Sequence, residues 1–171
     1  MGDVAASIHA GLRAAGIRDC IYLPDSVTGK LTASLERDPD MHVVVCARED
    51  EGIAIASGLF IAGRRAIVVM ECSGLGYSGL ILARCQLQRT PVFVIASHGG
   101  TIGEPFDYHT APIAAARGVV RGLNIDSIVL EPHMDHAETI RLAAESVYGQ
   151  RTSLVAFLPP YLAAEPQTAA R

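Results

Sequence analysis

The stretch CAREDEGIAIASGLFIAGRR, residues 46–65, sets three consecutive acids, Glu49, Asp50 and Glu51, at the head of an apolar, small-residue run. Carboxylates in a first helical turn complement the helix dipole by about 0.3–1 kcal/mol each, and that suffices for two of them. A third, rooted in a helix this apolar, can be drawn into a dry cleft and share a proton with a ring nitrogen. A second set lies in ECSGLGYSG, residues 71–79, where Gly74, Gly76 and Gly79 make a G-x-G-x-x-G directly after a strand-like run. Such glycines bring backbone close to a phosphate at a helix start, or permit a tight turn and close packing. The next strand-like run ends IASHGG, without the acid that would hold a ribose hydroxyl, which weighs against a dinucleotide. Cys72, in the same set, is either a nucleophile activated at a helix start or a buried structural thiol. His98 and His109, in SHGGTIGEPFDYHT, are candidates for proton transfer or carboxylate binding, with a loop or capping role as the alternative. His133 and His136, in HMDH, have a metal-like spacing but sit singly near a helix cap, and no metal ligands are expected in this chain.

The elements that must position these residues recur as short apolar runs: CIYL (20–23), HVVVCA (42–47), AIVVMEC (66–72), PVFVIAS (91–97), DSIVLEP (126–132) and SLVAFLP (153–159). None alternates with polar residues, which predicts strands of a parallel sheet buried on both faces. Helical patterns separate them. Asp3 caps the first, with Ile8, Leu12 and Ala15 on one side; LTASLE carries the second; Ile53, Ala56, Ser57 and Phe60 share a face of the third. Further helices are predicted over 76–88, 111–120 and 135–148. The expected fold is α/β, a three-layer, open, mainly parallel six-stranded sheet with helices on both faces. Ligands of such sheets meet the loops at the strands' carboxyl ends, here PDSVTG, REDEG, ECSGLGYSG and SHGGTIGEPFDYHT.

Bulk composition narrows the classes. The 171 residues are expected to form one domain over 1–162, with a polar tail, 163–171, that frays. Half of the residues are hydrophobic and 19% charged, which leaves apolar surface for another subunit. A net charge of −4, with Lys and Arg never grouped beyond a pair, excludes a nucleic-acid backbone as partner. Four scattered cysteines without Cys-x-x-Cys, an N-terminus lacking a signal pattern and no apolar run of spanning length point to a cytoplasmic protein with no membrane partner.

The order strand, REDEGIAIASGLFIAGRR, AIVVMEC, SGLG, helix, RTPVFVIAS resembles the pyrimidine-binding domain of thiamine-diphosphate enzymes, in particular the sulfopyruvate and phosphonopyruvate decarboxylase branch. The resemblance runs from GIRDCIYLPDS to SLVAFLPP. In that family a glutamate opens the helix after the second strand, nine residues before a glycine; counting back from Gly58 selects Glu49. The implied activity is decarboxylation of a small 2-oxo acid such as sulfopyruvate or a related acid. Loss of carbon dioxide leaves a carbanion that no side chain can delocalise and that the thiazolium of thiamine diphosphate can. Glu49 would hydrogen-bond the cofactor's pyrimidine, Cys72, Ser73, Gly74, Leu75 and Gly76 would line the cofactor, and His109 would serve catalysis. Asp25, Ser26, Tyr77 and His98 would contact substrate. Complete enzymes of the family grip the diphosphate through Mg²⁺ on a second domain marked by Gly-Asp-Gly, which this sequence lacks. The resemblance therefore implies a partner β subunit carrying the Mg²⁺ and diphosphate contacts, in an α2β2 or larger assembly.

One departure bears on substrate. Where that branch tends to read QNSGLGN, this chain reads ECSGLGY, and Glu71 would repel a sulfonate or phosphonate. Two other classes stay open on the residues alone: an NAD- or nucleotide-binding module using Gly74, Gly76 and Gly79, and a non-catalytic regulatory subunit that keeps the fold.

Overall fold

A computed structural model describes residues 3–100 and 106–163. Six strands, β1 (Asp19–Tyr22), β2 (His42–Val45), β3 (Ala66–Met70), β4 (Phe93–Ser97), β5 (Asp126–Val129) and β6 (Leu154–Leu158), form one sheet in the order β2-β1-β3-β4-β6-β5. Every pairing is parallel. The side chains of a strand alternate between two cores. Cys20, Tyr22, Ile67, Val69, Phe93 and Ile95 face helices α1 (Val4–Ala14), α2 (Gly29–Glu36), α7 (His136–Gln150) and α8 (Pro160–Ala163). Ile21, Val68, Met70, Val94 and Ala96 face α3 (Glu49–Ile61), α4 (Cys72–Tyr77), α5 (Gly79–Gln88) and α6 (Thr110–Gly122). Burial of both faces is what made these strands read as unbroken apolar runs.

Two of the six depart from that reading. β2 and β5 are the sheet's edges and stay largely open, with Val44 43% and Val45 57% exposed. An edge strand has one hydrogen-bonded neighbour, and the crossover helices spread over the centre of the sheet. The helix expected over 76–88 is also two helices. SGLG is itself helical, in α4, and the chain restarts at Ser78, whose hydroxyl donates to the Gly74 carbonyl at 2.7 Å. The tail expectation begins at Ala163, which ends α8; residues 164–171 lie outside the described residues. Among the described residues no helix is long and apolar enough to cross a membrane.

The topology places the site. Register aligns Tyr22 with Val69, Met70 with Ala96 and Ser97 with Leu158, so the loops after β1, β3, β4 and β6 emerge side by side. The chain reverses direction across the sheet between β1 and β3: α2 leads outward to the edge strand β2, and α3 returns over the opposite face to β3. The N-terminus of α3, with its acids, therefore opens at the same carboxyl edge.

Candidate functional site

The three acids separate by environment. Glu51 turns back to accept the Ala47 amide at 3.0 Å, satisfying a backbone donor ahead of the helix. Asp50 takes the Arg48 guanidinium at 3.0 and 3.1 Å, and that hydrogen bond holds its carboxyl below the usual value. Glu49 alone is buried, 6% exposed, although it is the first residue of its helix. Its carboxylate accepts a hydrogen bond from the Tyr77 hydroxyl, which also lies 3.4 Å from the Glu49 amide. Burial first, and then the bond to Glu49, push the Tyr77 phenol above its ordinary value, so it remains a donor through neutral pH. The Arg48 guanidinium lies 5.3 Å from the centre of the Tyr77 ring, which holds the ring beside the helix start.

The glycines of SGLG account for the space Glu49 occupies. A Cβ at Gly74 would overlap the Glu49 carboxyl, so only glycine lets that carboxylate lie against α4. A Cβ at Gly76 would come 2.9 Å from the Ala115 Cβ, so this glycine lets α4 and α6 touch. Gly79 is in ordinary contact with Val119. These three glycines are thus turned toward protein, which favours close packing over a phosphate cradle, and α4 spans only six residues. Of the other residues expected at the cofactor, Leu75 is core and Ser73 half-buried. Cys72 is 1% exposed, and burial pushes its thiol up, with Glu71 and Asp25 adding to the shift against the Gly99 amide. It is a packed thiol rather than an activated one.

A cavity of ≈ 280 Å³ opens at the aligned strand ends. Asp25, Ser26 and Val27 reach it after β1, Glu71 after β3, Ser97 and Gly99 around the end of β4, and Pro160 after β6. Tyr108, His109 and Pro112, from the turn that starts α6, close another side. Asp25 is held by the Thr28 amide, 3.0 Å from its carboxylate. Tyr108 packs edge-on against the His109 ring at 4.3 Å, and Gly99 leaves room for that ring, since a Cβ there would lie 3.3 Å from the His109 Cβ.

Asp25, Ser26 and His109 are therefore brought together, whereas Glu49, residues 72–76, Tyr77 and His98 are not among the cavity's described lining residues. Tyr77 serves Glu49. The His98 ring packs at a tilt against Phe157, centroids 5.0 Å apart, and burial and the Arg117 charge hold it below its usual value. The neutral ring accepts from Arg117 at 2.9 Å. His136, of the metal-like pair, donates to the Glu131 carbonyl at 3.0 Å. Sequence reasoning passed over Val27, Ser97, Gly99, Tyr108, Pro112 and Pro160 as site residues. For Ser97, Gly99 and Pro160 a signal existed, their position at or just past a strand's carboxyl end; for Tyr108 and Pro112 it was only adjacency to His109.

Residues 2–115 match the family model for the thiamine pyrophosphate enzyme, N-terminal TPP binding domain. The chain is 34% identical over 125 residues to the sulfopyruvate decarboxylase subunit alpha of Methanothermobacter thermautotrophicus, covering 72% of this chain and 75% of that one. The subunit of the same name from Methanococcus maripaludis is 34% identical over 103 residues, 60% of this chain and 62% of the relative. That of Methanocaldococcus jannaschii is 29% identical over 101 residues, 57% and 59% of the two chains.

Proposed function

The chain belongs to the thiamine pyrophosphate enzyme family as its N-terminal TPP binding domain, and from that premise we propose that it is the alpha, pyrimidine-binding subunit of a two-chain thiamine-diphosphate-dependent decarboxylase. The substrate class is small 2-oxo acids, of which sulfopyruvate is the one in the relatives' name. The observation that carries this is the buried Glu49 carboxylate at the start of α3, seated in the space that Gly74 leaves open. The residues fit the cofactor: a buried carboxylate that accepts from the Tyr77 hydroxyl has lone pairs left to accept from a protonated ring nitrogen, and Gly74 keeps α4 from filling that place.

Thiamine diphosphate, when bound, supplies the electron sink that loss of carbon dioxide requires. This chain supplies the groups around it. Glu49 holds a proton at the pyrimidine nitrogen, and its burial strengthens that hydrogen bond by excluding competing water. Tyr77 would orient the carboxylate through the hydrogen bond its hydroxyl donates. His109, on the cavity wall, binds the substrate carboxylate or moves a proton at the reacting carbon, beside Asp25 and Ser26.

Mg²⁺ and the diphosphate belong to a partner β subunit in an α2β2 or larger cytoplasmic assembly. Two observations support a partner: the relatives are named alpha subunits, and Ile61, Leu80 and Leu87 are 73%, 70% and 86% exposed on α3 and α5. The test is Glu49→Gln in the complex purified with its partner, thiamine diphosphate and Mg²⁺. Assembly should be kept and carbon dioxide release should fall about 10²–10⁴-fold, the range for a lost proton-transfer group. Wild-type turnover in that variant would refute the assignment and favour a regulatory subunit; the same loss from Glu51→Gln alone would move the role to Glu51.

A further inference from the structure

The strand-end cavity has a charge that bears on what enters it. Two of its lining residues are acids, Asp25 after β1 and Glu71 after β3, on neighbouring strands of the sheet. Among the described residues the other polar groups lining it are the hydroxyls of Ser26, Ser97 and Tyr108 and the imidazole of His109, with no lysine or arginine. A 2-oxo acid needs one cationic or donor contact for its own carboxylate, and His109 can supply one. A second anion on the side chain would face Asp25 or Glu71 with no cation among this chain's described lining residues to offset it, an arrangement that like charges penalise strongly in a half-buried site. A hydroxyl, in contrast, can donate to either carboxylate and accept from the serines or Tyr108.

Resting on the decarboxylase reading above, we infer that this chain selects 2-oxo acids with an uncharged, hydroxyl-bearing side chain, and rejects those bearing a sulfonate or phosphonate. The inference separates the chain from the substrate in its relatives' name. Glu71 is the principal selecting residue, because it stands at the carboxyl end of the central strand β3 at the cavity wall.

The test uses the complex with its partner, thiamine diphosphate and Mg²⁺, and two readouts. The first is calorimetric affinity for glycerate and for sulfolactate, 2-hydroxy acids that cannot be decarboxylated and differ by hydroxyl against sulfonate. The second is carbon dioxide release from hydroxypyruvate and sulfopyruvate. Glycerate should bind about tenfold or more tightly than sulfolactate, and hydroxypyruvate should exceed sulfopyruvate in kcat/KM by a similar factor. Glu71→Gln should narrow both ratios about tenfold, chiefly through tighter sulfolactate binding and a lower KM for sulfopyruvate. A preference for the sulfonates, a ratio that Glu71→Gln does not move, or binding of neither analogue would overturn the inference. Analogue selectivity without carbon dioxide release from either oxo acid would instead refute the decarboxylase reading, because the binding readout does not depend on turnover.

Discussion

Substituting alanine at Gly74 and at Gly76 should split stability from activity in opposite senses. Carbon atoms in good contact sit about 3.5–4.0 Å apart. A Cβ at Gly76 would meet the Ala115 Cβ at 2.9 Å and the Ala116 backbone nitrogen at 3.3 Å, so α4 and α6 must part as rigid bodies. Overpacking of that kind costs about 1–3 kcal/mol, and a domain of this length loses about 2–4 °C in Tm per kcal/mol, so Gly76→Ala should lower Tm by roughly 2–12 °C. At Gly74 the obstacle is the end of a flexible side chain, the Glu49 carboxyl, which can swing aside at less cost to the fold. Gly74→Ala should therefore melt closer to wild type while displacing the one carboxylate the proposed chemistry needs. A misplacement of about 1 Å in a positioned group costs on the order of 10²-fold in rate. The assay is differential scanning calorimetry of each variant, paired with carbon dioxide release by the complex measured well below its Tm. Expected are a near-normal Tm with about 10²-fold lower kcat for Gly74→Ala, and a lowered Tm with kcat within about threefold of wild type for Gly76→Ala. Equal activity losses in the two variants, or full activity in Gly74→Ala, would refute the view that Gly74 exists to seat Glu49.

Three further outcomes follow from single contacts. Tyr77→Phe removes the hydroxyl that Glu49 accepts but keeps the ring under Arg48, and a half-exposed charged hydrogen bond of this kind predicts about a 3- to 30-fold drop in kcat with assembly intact; an unchanged kcat would show that the working carboxylate is held otherwise. Asp38 accepts from the Asp40 amide, His9 and Arg13, and the amide foremost among them holds it down to about 2. A carboxyl lowered on folding stabilises the fold fully above its ordinary value near 4, and that contribution drains as pH falls from about 4 toward 2. Asp38→Asn should therefore lower the urea midpoint at pH 7 and flatten its decline below pH 4, whereas parallel curves for variant and wild type would refute the linkage. All four cysteines are buried and unpaired, with burial raising each thiol and Cys20 pushed up to about 12; Ellman's reagent should modify them only as fast as the chain opens, and prompt labelling of Cys72 would contradict its packed environment.

What could be read from the sequence, and what could not, divides along a physical line. Continuous apolar runs identify strands but carry no word on position within the sheet: HVVV and AIVV look alike as strings, yet β3 is buried throughout while β2 lies at the rim with Val45 57% exposed. Burial of an edge depends on which helix crosses it, and that is settled by topology rather than by composition. The acids of REDEG were legible as a helix start because the dipole argument is local. Which of the three becomes dry is not local, since the answer lies 25 residues downstream, where Gly74 leaves a space and Tyr77 fills one side of it. The same holds for the glycine motif: its spacing fits a phosphate loop as well as a packed turn, and only the neighbours, Glu49 at one glycine and Ala115 at the next, decide between them. His98 and His109 were indistinguishable as loop histidines, but strand alternation turns the first onto Phe157 while the turn before α6 leaves the second on the cavity wall. Residue types thus announce which chemistry is available, and the partners that decide whether it is used come from segments far apart in the chain. An assignment of Glu49 consequently stands or falls with Gly74, a residue with no side chain of its own that no count of acids would have selected.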